Sequence, residues 1–196
     1  MSIQDAAVFK PGVAHFYTNP DLGAALPDDL RNPGNGWEHM GHTSMEDILE
    51  AASDGGDQTI LGSLQKRNLR SSREALTSGF TINLLQLDEK SWQFYLGSNA
   101  VRDTGDNRLL NVPETPAPVE AAWYVVMYDG QVDAGFYSTK AEFMRADDIS
   151  VSDTESLLQL PVTVTPMGVE GKSPYSVILP HRYGTDGETP VVTPGA

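Results

Sequence analysis

Residues 122–138 read AWYVVMYDGQVDAGFYS and carry the strongest fold signal in the chain. Its first seven residues are apolar at nearly every position, which is typical of a strand that is covered on both faces. Asp129-Gly130 follows at once, and a second β-rich run comes after it. Asp-Gly between two such runs is a strong hairpin signal, because a type I′ turn needs positive φ at both central positions. This stretch therefore predicts a buried antiparallel hairpin that turns at Asp129-Gly130.

Four further segments have the composition of strands, namely 59–64, 79–87, 157–165 and 174–180. In the second of them Phe80, Ile82 and Leu84 share one face. Thr81 and Asn83 take the other face, so the first three are expected to pack in a core. In the third, Pro161 cannot donate a hydrogen bond to a neighbouring strand, which predicts an edge strand or a bulge. The chain is therefore expected to be mainly β.

Two short helices are predicted between these strands. A capping-box-like start at Ser44 predicts a helix over residues 44–52. The second runs from an Asp88 N-cap to a stop at Gly97. Its apolar residues recur at helical spacing, and Trp92 is predicted to anchor this helix to the sheet.

Composition divides the chain into three parts. Residues 1–35 are rich in Pro, Gly, Asn and Asp, and they are expected to form an extended N-terminal arm, with order beginning at Gly36. Residues 36–182 are expected to form one domain, in which 98–120 is a long irregular stretch. Residues 183–196 are again rich in Gly, Thr and Pro, which predicts a flexible C-terminal tail.

The charge and residue balance excludes several classes of protein. Thirteen basic and twenty-seven acidic residues give a formal net charge of −14, which argues against gripping nucleic acid phosphates or anionic membranes. The chain has no cysteine, which excludes disulfide scaffolds, thiolate metal sites and thiol nucleophiles. The longest apolar run, Ala121 to Tyr128, is far too short to span a membrane.

The motifs that indicate common enzymes are absent from the sequence, including the phosphate-binding, dinucleotide-binding, nucleophile-elbow and zinc-protease patterns. His39 and His42 form a close pair, but residues three apart on a strand point to opposite faces. Gly41 between them argues against a helix. We therefore expect no catalytic residue, metal ligand or cofactor-binding residue, and the chain is not expected to be an enzyme.

Four of the thirteen basic residues lie within eight positions, and they are Lys66, Arg67, Arg70 and Arg73. Residues 61–75 carry a net charge of +3, whereas 1–60 carry −8 and 76–196 carry −9. One interpretation is an edge strand protected from pairing by solvated charges. The other is a cationic strip that contacts acidic groups on a second copy of the chain. If the four lay on one strand, Lys66 and Arg70 would share one face, and Arg67 and Arg73 the other.

Several segments, in their order along the chain, resemble the major tail tube proteins of long-tailed bacteriophages. GWEHMGHTS at 36–44 is similar to a tryptophan–glycine–histidine stretch of that family, closest to the proteins of phages that infect actinobacteria. The Gly-Gly-Asp loop at 55–57, TILGSLQKRNLRSS at 59–72 and GFTINLLQLDEKSWQFYLG at 79–97 follow in the same order. FMRADDISVSDTESLLQLPVTVTPM at 143–167 completes the match, which covers about residues 36–180.

The resemblance implies a structural protein of the virion. Its fold would be a tail-tube-type β-sandwich or half-barrel with one flanking amphipathic helix. Six copies would form a ring, and rings would stack into a tube through which DNA is ejected. In that setting Thr81 and Asn83 are candidates for the lumen-facing surface, and the basic strip is a candidate contact between subunits.

The resemblance also implies partners and a location. The protein would polymerise with itself around a tape-measure protein, between a tail tip and a tail terminator protein, in the host cytoplasm. Double-stranded DNA would pass through without specific binding. The alternative is a monomeric β-sandwich binding module, such as a virion decoration or receptor-binding domain, whose loops would form the binding surface.

Overall fold

The structure is a computed structural model that describes residues 8–34, 36–149 and 155–182. These residues form twelve strands and one helix, and the protein is mainly β, as predicted. The strands are β1 (Val13–Asn19), β2 (Glu38–His39), β3 (Glu50–Gly55), β4 (Gln58–Leu61), β5 (Arg70–Arg73), β6 (Leu76–Leu84), β7 (Val101–Arg102), β8 (Leu110–Asn111), β9 (Val119–Asp129), β10 (Val132–Arg145), β11 (Leu160–Pro166) and β12 (Ser176–Arg182). The helix, α1, spans Glu89–Leu96. Among the described residues, no helix has the length and apolar character that crossing a membrane requires.

Eight strands form one antiparallel sheet in the order β2-β1-β9-β10-β11-β6-β3, and β12 pairs with β10 outside this path. The predicted hairpin, β9–β10, lies near its centre. Its turn lies one residue later than predicted, because Asp129 still pairs with Val132 and the loop is Gly130-Gln131. Gly130 has φ +60°, so the glycine supplies the left-handed conformation at the first loop position. The Asp129 carboxylate accepts a hydrogen bond from the backbone N–H of Lys10 (3.2 Å).

The sheet curls strongly on itself. β6 and β9 are separated by β11 and β10, and three strand spacings in a flat sheet would place them about 14 Å apart. The rings of Phe80 on β6 and Trp123 on β9 nevertheless lie with centroids 5.2 Å apart. The concave face therefore closes around its own side chains, in agreement with the β-sandwich or half-barrel that the resemblance implied.

Both faces of the central hairpin are buried. On the concave face the main core includes Phe16, Phe80, Ile82, Leu84, Trp123, Val125, Phe143, Leu160, Val162 and Val164. On the other face a smaller core is formed by Tyr17, Leu30, Trp37, Ala122, Tyr124 and Val126. Since β9 contributes alternate residues to both cores, the prediction of a strand that is covered on both faces is confirmed.

The N-terminal region differs from the prediction. β1 lies inside residues 1–35 and pairs with β9 along its whole length, from Val13 opposite Tyr128 to Asn19 opposite Ala122. Phe16 is fully buried. The prediction that order begins at Gly36 is therefore wrong for this segment, because the Pro/Gly-rich average of the region conceals a seven-residue strand. The predicted C-terminal tail, 183–196, lies outside the described residues.

The predicted helix over 44–52 does not form. The backbone N–H of Ser44 donates to the carbonyl of Asn83 (2.9 Å), and residues from Glu50 onward pair with β6 as β3. The Ser44 hydroxyl accepts a hydrogen bond from the backbone N–H of Glu46 (3.3 Å). This is the kind of bond that caps a helix N-terminus, but no helix follows it here. An isolated helix of two turns is marginal, and pairing with an existing strand replaces it.

β11 is also not an edge strand, since it pairs with β10 on one side and β6 on the other. The carbonyl of Pro161 accepts a hydrogen bond from the N–H of Ala146 (3.0 Å), just beyond the end of β10. In an antiparallel strand the N and O of one residue point to the same neighbour. The hydrogen bond that Pro161 cannot donate would therefore have gone to the end of β10. The ladder between β11 and β6 does not need it and is intact.

Helix α1 forms as predicted. The Asp88 side chain accepts a hydrogen bond from the backbone N–H of Ser91 (2.8 Å), and Gly97 ends the helix with φ +106°. The fully buried aromatic rings of α1 are Phe94 and Tyr95, whereas Trp92 is half-buried at the edge of the main core. The Phe94 ring lies 4.9 Å from that of Phe143 on β10, so Phe94 makes the deeper contact with the sheet.

Candidate assembly surface

A two-stranded projection leaves the edge of the sheet. β3 pairs with the first part of β6, and β4 pairs with β5 in a separate ladder from Gln58 opposite Arg73 to Leu61 opposite Arg70. β3 leads directly into β4, and β5 leads directly into β6. Residues 50–77 thus form one long hairpin, which we call the arm, with residues 62–69 at its tip.

Glycines shape the arm at its base and at its tip. Gly55 and Gly56 have φ of +84° and +77°, where β3 passes into β4. A Cβ at Gly55 would lie 2.7 Å from the carbonyl oxygen of Ala75 across the ladder, closer than a side chain allows. At the tip, a Cβ at Gly62 would lie 2.1 Å from the carbonyl oxygen of Arg67. Only glycine fits these two close backbone approaches.

The arm is exposed along its length. Every residue from 50 to 77 is exposed except Gly56, which is half-buried. Several of these residues are apolar, and they are Ile60, Leu61, Leu64, Leu69 and Leu76. Leu64 at the tip is fully exposed. Because clustered exposed apolar side chains mark interaction sites on soluble proteins, the arm is a candidate contact with another chain.

The four clustered basic residues all lie on the arm, but not on one strand. Lys66 and Arg67 lie in the tip, whereas Arg70 and Arg73 lie at the two ends of β5. The condition for dividing them between two faces of one strand is therefore not met, because the chain bends between Leu61 and Arg70 to form the tip. Within the described residues none of the four makes an ion pair, in contrast to Arg31, Lys90, Arg102, Arg108, Lys140 and Arg145.

The outer part of the arm, residues 61–75, differs in charge from the rest of the chain. Four cations and Glu74 give residues 61–75 a net charge of +3, which leaves −17 on the remainder. Opposite charge on a second copy attracts such a segment over a distance of about 10 Å at ordinary salt. The arm therefore combines apolar area with a cationic strip that would be complementary to an acidic surface.

A polar face lies next to the base of the arm. Thr81 and Asn83 project from β6 on the side opposite Phe80 and are half-buried, so the predicted alternation of β6 is confirmed. Thr163 lies opposite Thr81 on β11, and Glu50 lies opposite it on β3. Glu142 continues the same face on β10. We call these residues the polar face.

His39 and His42 lie on either side of Gly41, which has φ +91°. No group of three or more histidine, aspartate or glutamate side chains in the described residues could hold a metal ion. The histidine that does contact His39 is His15 on β1, with the two ring nitrogens 2.7 Å apart. Sequence spacing could not have found this pair, because β1 and β2 are brought together by the sheet.

Comparison with known proteins identifies the family. Residues 1–187 match the family described as phage tail tube protein. The chain is 32% identical over 197 residues to Major tail protein Gp23 of Mycobacterium phage D29, covering 94% of this chain and 96% of that protein. It is also 32% identical over 191 residues to Major tail protein Gp23 of Mycobacterium phage L5, covering 91% and 93%.

The chain belongs to the phage tail tube protein family. It is a structural subunit of a phage tail and a component of the virion, as the resemblance implied. Both relatives come from phages of an actinobacterial host, in agreement with the predicted affinity. The arm contains the basic cluster and the segment 59–72, which the sequence singles out by charge and by the family resemblance. Its exposed leucines went unnoticed, although the glycines at 55, 56 and 62 marked the ends of its short strands.

Proposed function

We propose that this tail tube protein polymerises as stacked hexameric rings into a tube through which DNA is ejected into the host. The observation that carries the proposal is the arm, in which exposed leucines and a cationic strip project from an otherwise acidic subunit. An exposed arm of this composition is a liability in a monomer, and pairing it with another copy removes that liability.

The arm supplies a contact between copies. Lys66, Arg67, Arg70 and Arg73 bind acidic groups on the neighbouring subunit or on the next ring, and the exposed leucines add apolar area. Arginine suits this role because its planar fork holds a carboxylate through two hydrogen bonds. The absence of ion pairs for these four residues within the described part of the subunit supports the proposal.

The polar face lines the channel. Thr81 and Asn83 present small uncharged groups there, and Glu50 and Glu142 add negative charge. Phosphates that pass such a wall find few cations to displace their counterions, so DNA slides without being held. The tape-measure, tail tip and tail terminator proteins are the further partners of this assembly.

Charge reversal on the arm tests the proposal. Arg70→Glu with Arg73→Glu, and separately Lys66→Glu with Arg67→Glu, are compared with the unchanged protein by negative-stain electron microscopy at high concentration. At least one double variant is expected to lose tubes while its melting temperature stays within about 2 °C, since exposed charges contribute little to stability. Lys172→Glu, an exposed cation outside the arm, is the matched control and is expected to form tubes.

Two outcomes would contradict the proposal. If both double variants form tubes at the unchanged rate, the arm cations only protect an edge from pairing. If the unchanged protein gives only small particles at every concentration, with or without the tail tip complex as a nucleus, the chain is a monomeric binding module instead.

A further inference from the structure

Two histidine rings meet on the sheet beside β2. His15 Nδ1 and His39 Nε2 lie 2.7 Å apart, a normal hydrogen-bond distance. The backbone N–H of Gly41 donates to the other nitrogen of His39, Nδ1, at 2.9 Å. The His39 ring is thus held at both nitrogens, once by its own chain and once by β1.

These two contacts allow one arrangement of protons. A backbone N–H can only donate, so Nδ1 of His39 must present a lone pair to Gly41. The proton of neutral His39 then sits on Nε2 and is donated to Nδ1 of His15. His15 in turn carries its own proton on Nε2. Both hydrogen bonds therefore require both rings to be neutral. A proton added to Nδ1 of His39 breaks the bond from Gly41, and a proton added to Nδ1 of His15 breaks the bond between the two rings.

The pair fastens a weak element. β2 is only two residues long and pairs with β1 at Tyr17–His39 and Thr18–Glu38. The adjoining N–H of Met40 donates to the carbonyl of Phe16 (2.9 Å). The side chains of Trp37 and Met40, on either side of β2, are buried in the two cores. A two-residue strand contributes little pairing energy of its own. Between these anchors, the histidine contact is therefore the side-chain link that joins His39 to β1.

Aromatic rings and charged groups of both signs surround the pair. The Tyr128 ring on β9 stacks on His15 at 5.3 Å, and the Tyr17 ring packs edge-on against His39 at 5.1 Å. The basic groups near the pair are His42, Arg31 over the Tyr128 ring, and Lys90 of α1. The acidic groups are Asp29 near Tyr17, Asp129 at the end of β9, and Glu38, which forms an ion pair with Lys90.

Burial lowers the pKa of His15, and burial together with the charges of His15 and His42 lowers the pKa of His39. The folded protein therefore favours the neutral rings more than the unfolded chain does. For such groups the stabilisation is complete above the ordinary imidazole pKa of about 6.5 and is lost as the pH falls below it.

We propose that the His15–His39 pair is a pH-sensitive latch that holds β2 on the edge of β1 and releases it on acidification. Release exposes the backbone N–H and C=O groups of β1, which is the penultimate strand of the sheet. The latch is a property of the single subunit and does not depend on the arm or on ring formation.

A shared metal ion is a poor explanation of the same pair. A metal-binding imidazole usually donates its second N–H to an acceptor, whereas the second nitrogen of His39 accepts from Gly41. That arrangement leaves the proton on the nitrogen that faces His15, where no lone pair is available for a cation.

Hydrogen exchange and histidine NMR on the full chain test the latch. Between about pH 7.5 and pH 5, on either side of the ordinary imidazole pKa, the protection factors of the Met40 and Gly41 amides are expected to fall about tenfold or more. Protection of amides in the β9–β10 hairpin is expected to stay constant. Long-range ¹H–¹⁵N spectra at the higher pH should show both rings protonated on Nε2 only.

A variant in which amide side chains replace both histidines cannot titrate, so it tests whether the pH dependence comes from this pair. His15→Asn with His39→Gln places an amide oxygen and an amide N–H near the original positions, and it is expected to remove the pH dependence at Met40. His181→Gln on β12 is the matched control and should keep the dependence. The latch is refuted if Met40 protection in the unchanged protein does not respond to pH, or if it responds equally in the double variant. Loss of the Nε2 proton signals on adding Zn²⁺ at pH 7.5 would instead indicate a metal site and overturn the proposal.

Discussion

Arg31 binds the buried carboxylate of Asp133 across 102 positions of sequence. Its Nε lies 3.0 Å and 3.2 Å from the two carboxylate oxygens, and its Nη2 also donates to the carbonyl of Gly130 (3.0 Å). The Asp133 side chain is 1% exposed, and the Arg31 guanidinium lies 4.4 Å from the centre of the Tyr128 ring. One side chain therefore ties the segment after β1 to the central hairpin.

Removing this cation should be costly. Arg31→Ala leaves the Asp133 carboxylate buried without its main partner, and breaking a buried pair in this way costs about 3–5 kcal/mol. For a chain of this size that lowers the melting temperature by about 10 °C, measured by calorimetry. The exposed pair of Arg108 and Asp106 is the control, and Arg108→Ala should change the melting temperature very little. Equal effects of the two variants would contradict the importance of burial here.

The helix contact gives a second comparison. Phe94 is 2% exposed against Phe143, so Phe94→Ala should cost about 3–5 kcal/mol. Trp92 is half-buried, and Trp92→Ala should cost clearly less, because part of its ring already faces water. Chemical denaturation of both variants measures the difference. A larger loss for Trp92→Ala would restore Trp92 as the main anchor of the helix.

The N-cap of α1 predicts a pH dependence. Burial opposes ionisation of Asp88, but hydrogen bonds from Ser91 and Gln86 outweigh it, and the pKa of Asp88 is lowered. Its stabilisation is therefore complete above the ordinary aspartate pKa and is lost as the pH falls through the lower folded value. Asp88→Ala should cost about 1 kcal/mol at neutral pH. The difference from the unchanged protein should shrink as the pH falls below the ordinary aspartate pKa of about 3.9, because the carboxylate that accepts these hydrogen bonds becomes protonated. A difference that is constant with pH would contradict this account.

The polar face gives a prediction at the level of the tail. Asn83→Lys places a cation beside Pro161, with no acidic residue directly opposite to neutralise it. Tubes should still form, but DNA release triggered in vitro should be slower and more dependent on salt, since the added charge binds passing phosphates. Asn83→Gln, which keeps the amide, should release DNA at the unchanged rate. Unaltered release by the lysine variant would place Asn83 outside the lumen.

Local rules were sufficient for several elements. The alternation of Phe80, Thr81 and Ile82 sets which side chains of β6 are buried, because successive residues of a strand face opposite ways. The Asp88 cap and the Gly97 stop bound α1 through hydrogen bonds that lie within a few residues of each other. The hairpin of β9 and β10 follows from a turn signal between two adjacent apolar runs.

Other features depend on partners far along the chain. β1 forms a strand because it pairs with β9, more than a hundred residues later in the chain. Nothing in the sequence of residues 13–19 indicates which strand it pairs with. The predicted helix at 44–52 fails because its last three residues, Glu50, Ala51 and Ala52, pair with β6 instead.

The residues alone were enough to predict the cationic cluster at 66–73, the alternation of β6 and the family resemblance. The folded chain decided that the arm projects into solvent, that Arg31 reaches Asp133, and that His15 meets His39. The physical reason is that burial and contact across a sheet depend on which strands pair, and pairing is a competition among all segments of the chain rather than a property of any one of them.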